Sequence, residues 1–401
     1  MASTIRRNGA RHLTRRLTVI VATGSISAAL ATFTLAPAAS ASEPNHTGPQ
    51  STDHAVFVQT SDSAGNAVIA YSRAGNGSLH WAGQYATGGL GGSESGTVVD
   101  PLASQGALTY DGRDHLLFAV NAGSDTFTVF DVNGAHLHRL QILSSGGHLP
   151  TSISVVGSHA YVLDAGYDGA ISGFSIDGAK HVHAIGGSTR SLGLGNPADP
   201  NFLASPSQVA ITPDGRDVIV ATKTHGVLDV FTLKHLAVPS AAPVVTTSAG
   251  AVPFALSYDA FGRLIVAEAS GGASSYLVHP DGVLAAISSH VANAQAATCW
   301  SVIAKGFVYT ANAGSNTITG YAENWHGQLS LLNTNGVTAT TDAGPVDLAA
   351  SSDGQFIYQQ ATGAGVIDEF RVNNNGSLTP IGTVTGFTPD NGAGFEGIAA
   401  S

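Results

Sequence analysis

One cysteine, one methionine and four lysines in 401 residues set the first limits on this chain. The lone Cys299 has no partner, so no internal disulfide staples the fold and packing must hold it together. Charged residues make up 11% of the chain, about half the usual share for a soluble protein. No stretch of the repeated region shows the 3.6-residue apolar period of a helix. Enzyme signatures are also missing: there is no G-x-S-x-G elbow, no H-E-x-x-H, no G-x-x-x-x-G-K and no dinucleotide fingerprint. Basic residues are scarce against 27 acidic ones, and five of the 16 lie before Ser42; without residues 1–41 the net charge is −16. So acidic a chain offers no electrostatic footprint for nucleic acid or for an anionic membrane surface.

What the chain does have is a repeat. An apolar segment, an Asp-Gly type of turn, a strand ending in a small or polar residue, a Gly/Ser turn and a strand closing on an aromatic recur seven times. Clear copies start at Pro206 (PSQVAITPDGRDVIVATKTHGVLDVF) and Pro345 (PVDLAASSDGQFIYQQATGAGVIDEF). The closing aromatics Tyr71, Phe130, Phe174, Phe231, Tyr276, Tyr321 and Phe370 are 44 to 59 residues apart. Runs such as Leu116–Val120, Val218–Ala221 and Phe307–Thr310 are too short for helices and rich in strand formers. The pattern predicts an all-β, seven-bladed β-propeller over residues 54–401. The last residues, FEGIAAS from Phe395, copy the opening segment VDLAAS from Val346, and no unit follows them. They are expected to supply the inner strand that the first unit lacks, which would close the ring and remove an exposed edge; a frayed tail that matches by chance is the other reading.

Ahead of the repeats, Arg6, Arg7, Arg11, Arg15 and Arg16 precede an apolar stretch, Leu17 to Leu35, and then Ala39-Ser40-Ala41. That order is a secretory signal over residues 1–41, so the protein is expected to be secreted, with residues 42–53 as a polar linker. Arg15-Arg16 suggests the twin-arginine route, while Thr18 stands where that signal prefers an apolar residue; the route stays open.

Inner strands of a propeller line its channel, so residues opening each unit are candidates to meet a ligand. Aligning the units places Ser104 and Gln105, Thr151 and Ser152, Ser207 and Gln208, Phe254 and Ala255, Thr298 and Cys299, Val346 and Asp347, and Glu396 and Gly397 near the channel mouth. A second ring ends the second strands: Asn121, Asp164, Thr222 with Lys223, Glu268 and Asn312. Polar side chains there either meet a ligand or cap the next turn. The binding candidates are Gln105, Thr151, Asp164, Gln208, Lys223, Cys299 and Asn312. His148, one step before the opening Pro150, is a candidate base. The pairs His136/His138 and His181/His183 fall on outer strands and lack a third ligand type. No metal and no cofactor is expected, and the chain is expected to act as a monomer.

The P-x-x-apolar openings, the PDGR turn (Pro213–Arg216) and the ANAGSNTI segment (Ala311–Ile318) resemble the lactonase family of seven-bladed propellers. That family includes bacterial 6-phosphogluconolactonase and the fungal carboxymuconate lactonizing enzyme. The resemblance implies action on lactones, or on acids that cyclise to lactones. Family members carry His or Arg in mouth slots that here hold Thr151, Ser207, Phe254, Thr298 and Val346. Two functions follow as expectations. One is a lactone hydrolase or cyclase with a shifted site, whose base is His148, Glu268, Asp347 or Glu396. The other is a non-catalytic extracellular propeller that binds a glycan or peptide at the channel mouth.

Overall fold

The computed structural model describes residues 54–234, 237–387 and 394–401. The expected signal and linker, residues 1–53, lie outside the described residues. Seven antiparallel sheets of four or five strands follow one another along the chain, and the described residues contain no α-helix. Each sheet is a blade, and the inner strands of blades one to seven are Phe395–Ala400, Leu108–Asp111, Pro150–Val156, Pro206–Ile211, Pro253–Tyr258, Thr298–Ala304 and Pro345–Ala350. Neighbouring inner strands touch all the way round, so they enclose a channel.

The ring closes through the C-terminus. Phe395–Ala400 pairs with Ala55–Thr60, placing Val56 opposite Ala400 and Val58 opposite Ile398. Ser401 locks the join: its N–H donates to the Ala55 carbonyl at 2.9 Å, and its hydroxyl oxygen accepts the Ala55 N–H at 2.7 Å.

The seven closing aromatics stand on the third strand of each blade and are all buried. The core is a series of slabs between neighbouring blades, as where Phe127 meets Phe174 edge-on at 4.8 Å. In blades six and seven a second-strand tyrosine ties the slab to the next blade. Tyr309 donates to the Gly376 carbonyl and Tyr358 to the Gly77 carbonyl, both at 2.8 Å, in the outer hairpin of the next blade. Gly77, with φ of 98°, has no room for a side chain: a Cβ there would stand 2.3 Å from the Phe356 ring.

Blade two departs from the sequence alignment. Its inner strand pairs only from Leu108, so Ala103, Ser104 and Gln105 do not occupy the slots that Pro150, Thr151 and Ser152 occupy in blade three. Residues 94–106 instead run across the end of the channel where the inner strands begin, called here the upper face.

Candidate functional site

The crossing segment shuts the channel mouth. Gln105 bridges to the opposite side of the ring: its N–H donates to the Ser207 carbonyl at 3.1 Å, and its amide both donates to and accepts from the Ser301 backbone, at 2.9 and 2.8 Å. The Trp300 indole N–H donates to the Ser104 carbonyl at 2.7 Å, and the Ser104 hydroxyl donates to the Thr151 carbonyl at 2.8 Å. Asp100 gathers the backbone N–H groups of Leu102, Ala103 and Ser104 on its carboxylate, a local nest that shapes the turn.

Beneath this segment lies an ionisable cluster. Glu94 and Asp100 from the crossing segment meet Lys223, Asp347 and Glu396, and none is more than 4% exposed. Lys223 donates to the Ala103 carbonyl at 2.7 Å and lies 3.6 Å from Glu94, whose carboxylate also accepts the Ser205 hydroxyl at 2.7 Å. One cation among four carboxyls leaves most of them unable to ionise. Burial pushes Glu94 and Asp347 up to about 8. Glu396 is driven well above the carboxylate range by burial and by Asp100, which burial also raises. The two carboxyls lie close enough to raise one another, and both cannot stay ionised together in a dry site without strong repulsion. Burial lowers Lys223 and pushes the Cys299 thiol up to about 12, so Cys299 is protonated and packed rather than nucleophilic.

The structure thus brings together Lys223, Cys299, Asp347 and Glu396, but behind a closed mouth. The sequence alignment missed Glu94 and Asp100, which occupy no repeated slot and reach the channel only because the chain before Leu108 folds across it. Below the closure the channel opens to the lower face as a cavity of about 470 Å³, with Gln105, Gln208 and Asp347 at its inner end and Val155, Ile211 and Ile303 among its walls. Gln208 repeats the bridging device, exchanging hydrogen bonds with the Leu256 backbone at 3.1 and 2.6 Å.

Three other candidates sit within blades. Thr151 is fully buried, and its hydroxyl has no partner. Asn312 binds the turn through Thr317 at 3.0 Å and accepts from Thr298 and Asn293. Glu268, fully buried, accepts from Ser274 at 2.6 Å and the Gly250 N–H at 2.8 Å, and lies 2.7 Å from His290 Nδ1.

His148 stands in a different setting. Its Nδ1 is 2.9 Å from the Asp125 carboxylate, which also accepts the Leu149 N–H at 2.9 Å. A carboxylate acceptor places the proton on Nδ1, so the Nε2 lone pair is free. Nε2 lies 3.8 Å from Asp199, beyond hydrogen-bond reach, and the ring packs against Tyr167 at 5.4 Å. His148, Asp125, Asp164 and Tyr167 line one cavity of about 540 Å³ on the upper face, away from the channel axis. Asp164 is 1% exposed, and neither of its oxygens meets a partner at hydrogen-bonding geometry, although the Ser145 hydroxyl stands close enough to favour its ionised form slightly. Burial, with Asp125 adding to it, pushes its carboxyl up to about 7. Gly147 permits this approach, because a Cβ there would come within 2.6 Å of the Asp164 carboxyl carbon.

Asp125 was not among the sequence candidates, although it lies in a repeated phrase. Residues 121–125 read NAGSD and residues 312–316 read NAGSN. Asp125 and Asn316 both have φ of 54°, and each accepts the N–H of the residue before the next blade's opening proline, Leu149 and Gly344. The His148–Asp125 pair is therefore built on a structural position, with Asp in place of Asn and His148 where the other copy has Ala343.

No protein-family model matches this sequence, and no curated protein matches it. Solved structures do. A Bacteroides fragilis protein provisionally named 6-phosphogluconolactonase superposes with a TM-score of 0.66 at 16% identity, covering 90% of this chain and 100% of its own. A periplasmic gluconolactonase from Pseudomonas aeruginosa gives 0.64 at 16% identity, with 86% and 98% covered. A Bacteroides uniformis protein, also provisionally named 6-phosphogluconolactonase, gives 0.59 at 15% identity, with 83% and 97% covered. At these identities the likeness establishes architecture: the chain shares the seven-bladed β-propeller fold of structures named as lactonases.

Proposed function

We propose that this protein is a secreted lactone hydrolase acting on uncharged lactones at the His148 cavity. The observation that carries the reading is the pairing of an Asp125-oriented imidazole, its Nε2 free, with a buried Asp164 carboxyl raised by that burial, in one cavity. Their environments set two different tasks, base and acid. His148 Nε2 takes a proton from water as its oxygen attacks the lactone carbonyl carbon. Protonated Asp164 donates a hydrogen bond to the developing oxyanion. The ring C–O bond then breaks, and the leaving oxygen takes the proton from the imidazolium, giving the hydroxy acid and neutral His148.

The cavity favours uncharged substrates. Besides the protonated Asp164, the carboxylates of Asp125 and Asp168 line it and no Arg or Lys does, so an anionic or phosphorylated lactone meets repulsion, as does the carboxylate product. The solved structures named as lactonases support the reaction class, and the Arg-rich leader with its A-x-A site supports export. The test is a pH-stat comparison of glucono-lactone with its 6-phosphate. Faster turnover of the uncharged lactone is expected; preference for the phosphorylated one would overturn the reading. The closed channel mouth favours a second reading, a propeller that binds without turnover. Saturable thermal stabilisation by the lactone with no hydrolysis above the buffer rate would select it.

A further inference from the structure

The closed mouth has a second surface. Where the crossing segment lies against blades five and six, it leaves a cavity of about 290 Å³ on the upper face, walled by Val98, Val99, Phe202, Phe254, Trp300 and Ala313. Phe254 and Trp300 meet edge to face at 5.0 Å, giving two aromatic walls at 62° to each other. Polar groups at its edge are already occupied. The Trp300 N–H is bound to Ser104, Asp100 holds three backbone N–H groups, and Lys223, 5.5 Å from the Phe254 ring, is bound to Ala103. The rim is apolar too: Val98 is 69% exposed although it stands beside this cavity.

A cavity with apolar and aromatic walls, and hydrogen-bonding groups turned to other partners, rewards shape and dispersion rather than polar contacts. A cavity of about 150 Å³ holds benzene, so roughly twice that volume takes a two-ring group. An anion there would lose its hydration and find no free donor in return. We propose that this cavity is a binding site for a flat, uncharged, two-ring aromatic group, separate from the His148 cavity. Such a ligand would contact Val98 and Val99 on one side and Phe254 and Trp300 on the other. Occupancy would hold the crossing segment down.

Cys299 lines the same cavity and is the only cysteine of the chain; unreactive while packed, it is modified only when the crossing segment opens, which gives a local reporter of that opening. The experiment titrates 2-naphthol into the full-length mature protein by calorimetry and follows modification of Cys299 by 4,4′-dithiodipyridine. One site per chain with Kd below about 1 mM is expected, and saturating 2-naphthol should slow Cys299 modification several-fold. Ala313→Trp, which fills the cavity from a turn, should weaken binding at least tenfold and leave lactone turnover unchanged. Val98→Trp fills it from the exposed rim and should do the same if Ala313→Trp misfolds. Absence of saturable binding, affinity unchanged in Val98→Trp, or no protection of Cys299 would each overturn the proposal. The naphthalene-2-carboxylate anion should bind at least tenfold more weakly than 2-naphthol; equal affinity would also count against it.

Discussion

Asp347 in the channel wall makes a quantitative prediction about pH and stability. The folded protein keeps the Asp347 proton up to about pH 8, because burial penalises the charge and Asp100 stands nearby. An unfolded chain releases it near pH 4. Unfolding therefore releases a proton throughout the interval between, and stability is fully present below about pH 4 and declines as pH rises towards 8. The slope is about 1.4 kcal/mol per pH unit, so Asp347 alone removes about 2.7 kcal/mol between pH 5 and pH 7. Asp347→Asn cannot lose a proton. Replacing the carboxyl that accepts the Leu348 and Ile398 N–H groups shifts its stability by some fixed amount, but the gap between variant and wild type should change by about 2.7 kcal/mol in the variant's favour from pH 5 to pH 7. Glu94, raised in the same way, titrates alike in both proteins and cancels. Urea unfolding at pH 5, 6 and 7 measures the gap. A gap constant across that range would mean that Asp347 is ionised in the fold, and would refute the account of the buried cluster.

Further outcomes follow from the same contacts. Gln105→Ala removes both hydrogen bonds to the Ser301 backbone across the channel; a loss of about 2–3 kcal/mol in urea unfolding is expected, with faster Cys299 modification as the crossing segment loosens. Removing residues 395–401 takes away the inner strand of blade one and bares the edge of Ala55–Thr60, so aggregation on size-exclusion chromatography and loss of a cooperative melt are expected. If Asp164 donates from its protonated form, turnover should fall as pH rises through about 7, while Asp164→Asn, an uncharged donor throughout, should show no such alkaline limb in its pH–rate profile.

The fold was legible because every blade repeats the same local chemistry. A propeller states its architecture once per unit, in turns such as Asp214-Gly215 and in strand-three aromatics, and the copy of VDLAAS at Phe395 announced the closure. The mouth was not legible. Slot alignment presumes that each opening segment enters its blade as its neighbours do, and Ala103–Gln105 do not: the Gln105 amide, bonded to the Ser301 backbone, and the Trp300 indole of another blade hold them across the channel. Glu94 and Asp100 lie in a loop with no counterpart elsewhere, so nothing in the periodic pattern marked them. His148 was visible as a histidine before an opening proline, yet its partner was hidden in a turn phrase whose other copy has Asn316. The left-handed backbone of Leu149, φ 60°, would read as strain at a site, but Val252 and Ala297 show the same feature before their inner strands. It belongs to the way blades begin, not to the chemistry beside it.

The most direct measurement is the turnover of glucono-lactone by wild type and by His148→Asn. An asparagine keeps a donor towards Asp125 but cannot accept the proton from water. We expect hydrolysis by the wild type well above the buffer rate, and kcat/KM at least about 100-fold lower in the variant, with the same melting behaviour. Equal turnover in the two proteins, or none above buffer in the wild type, would contradict the assignment of His148 as the base.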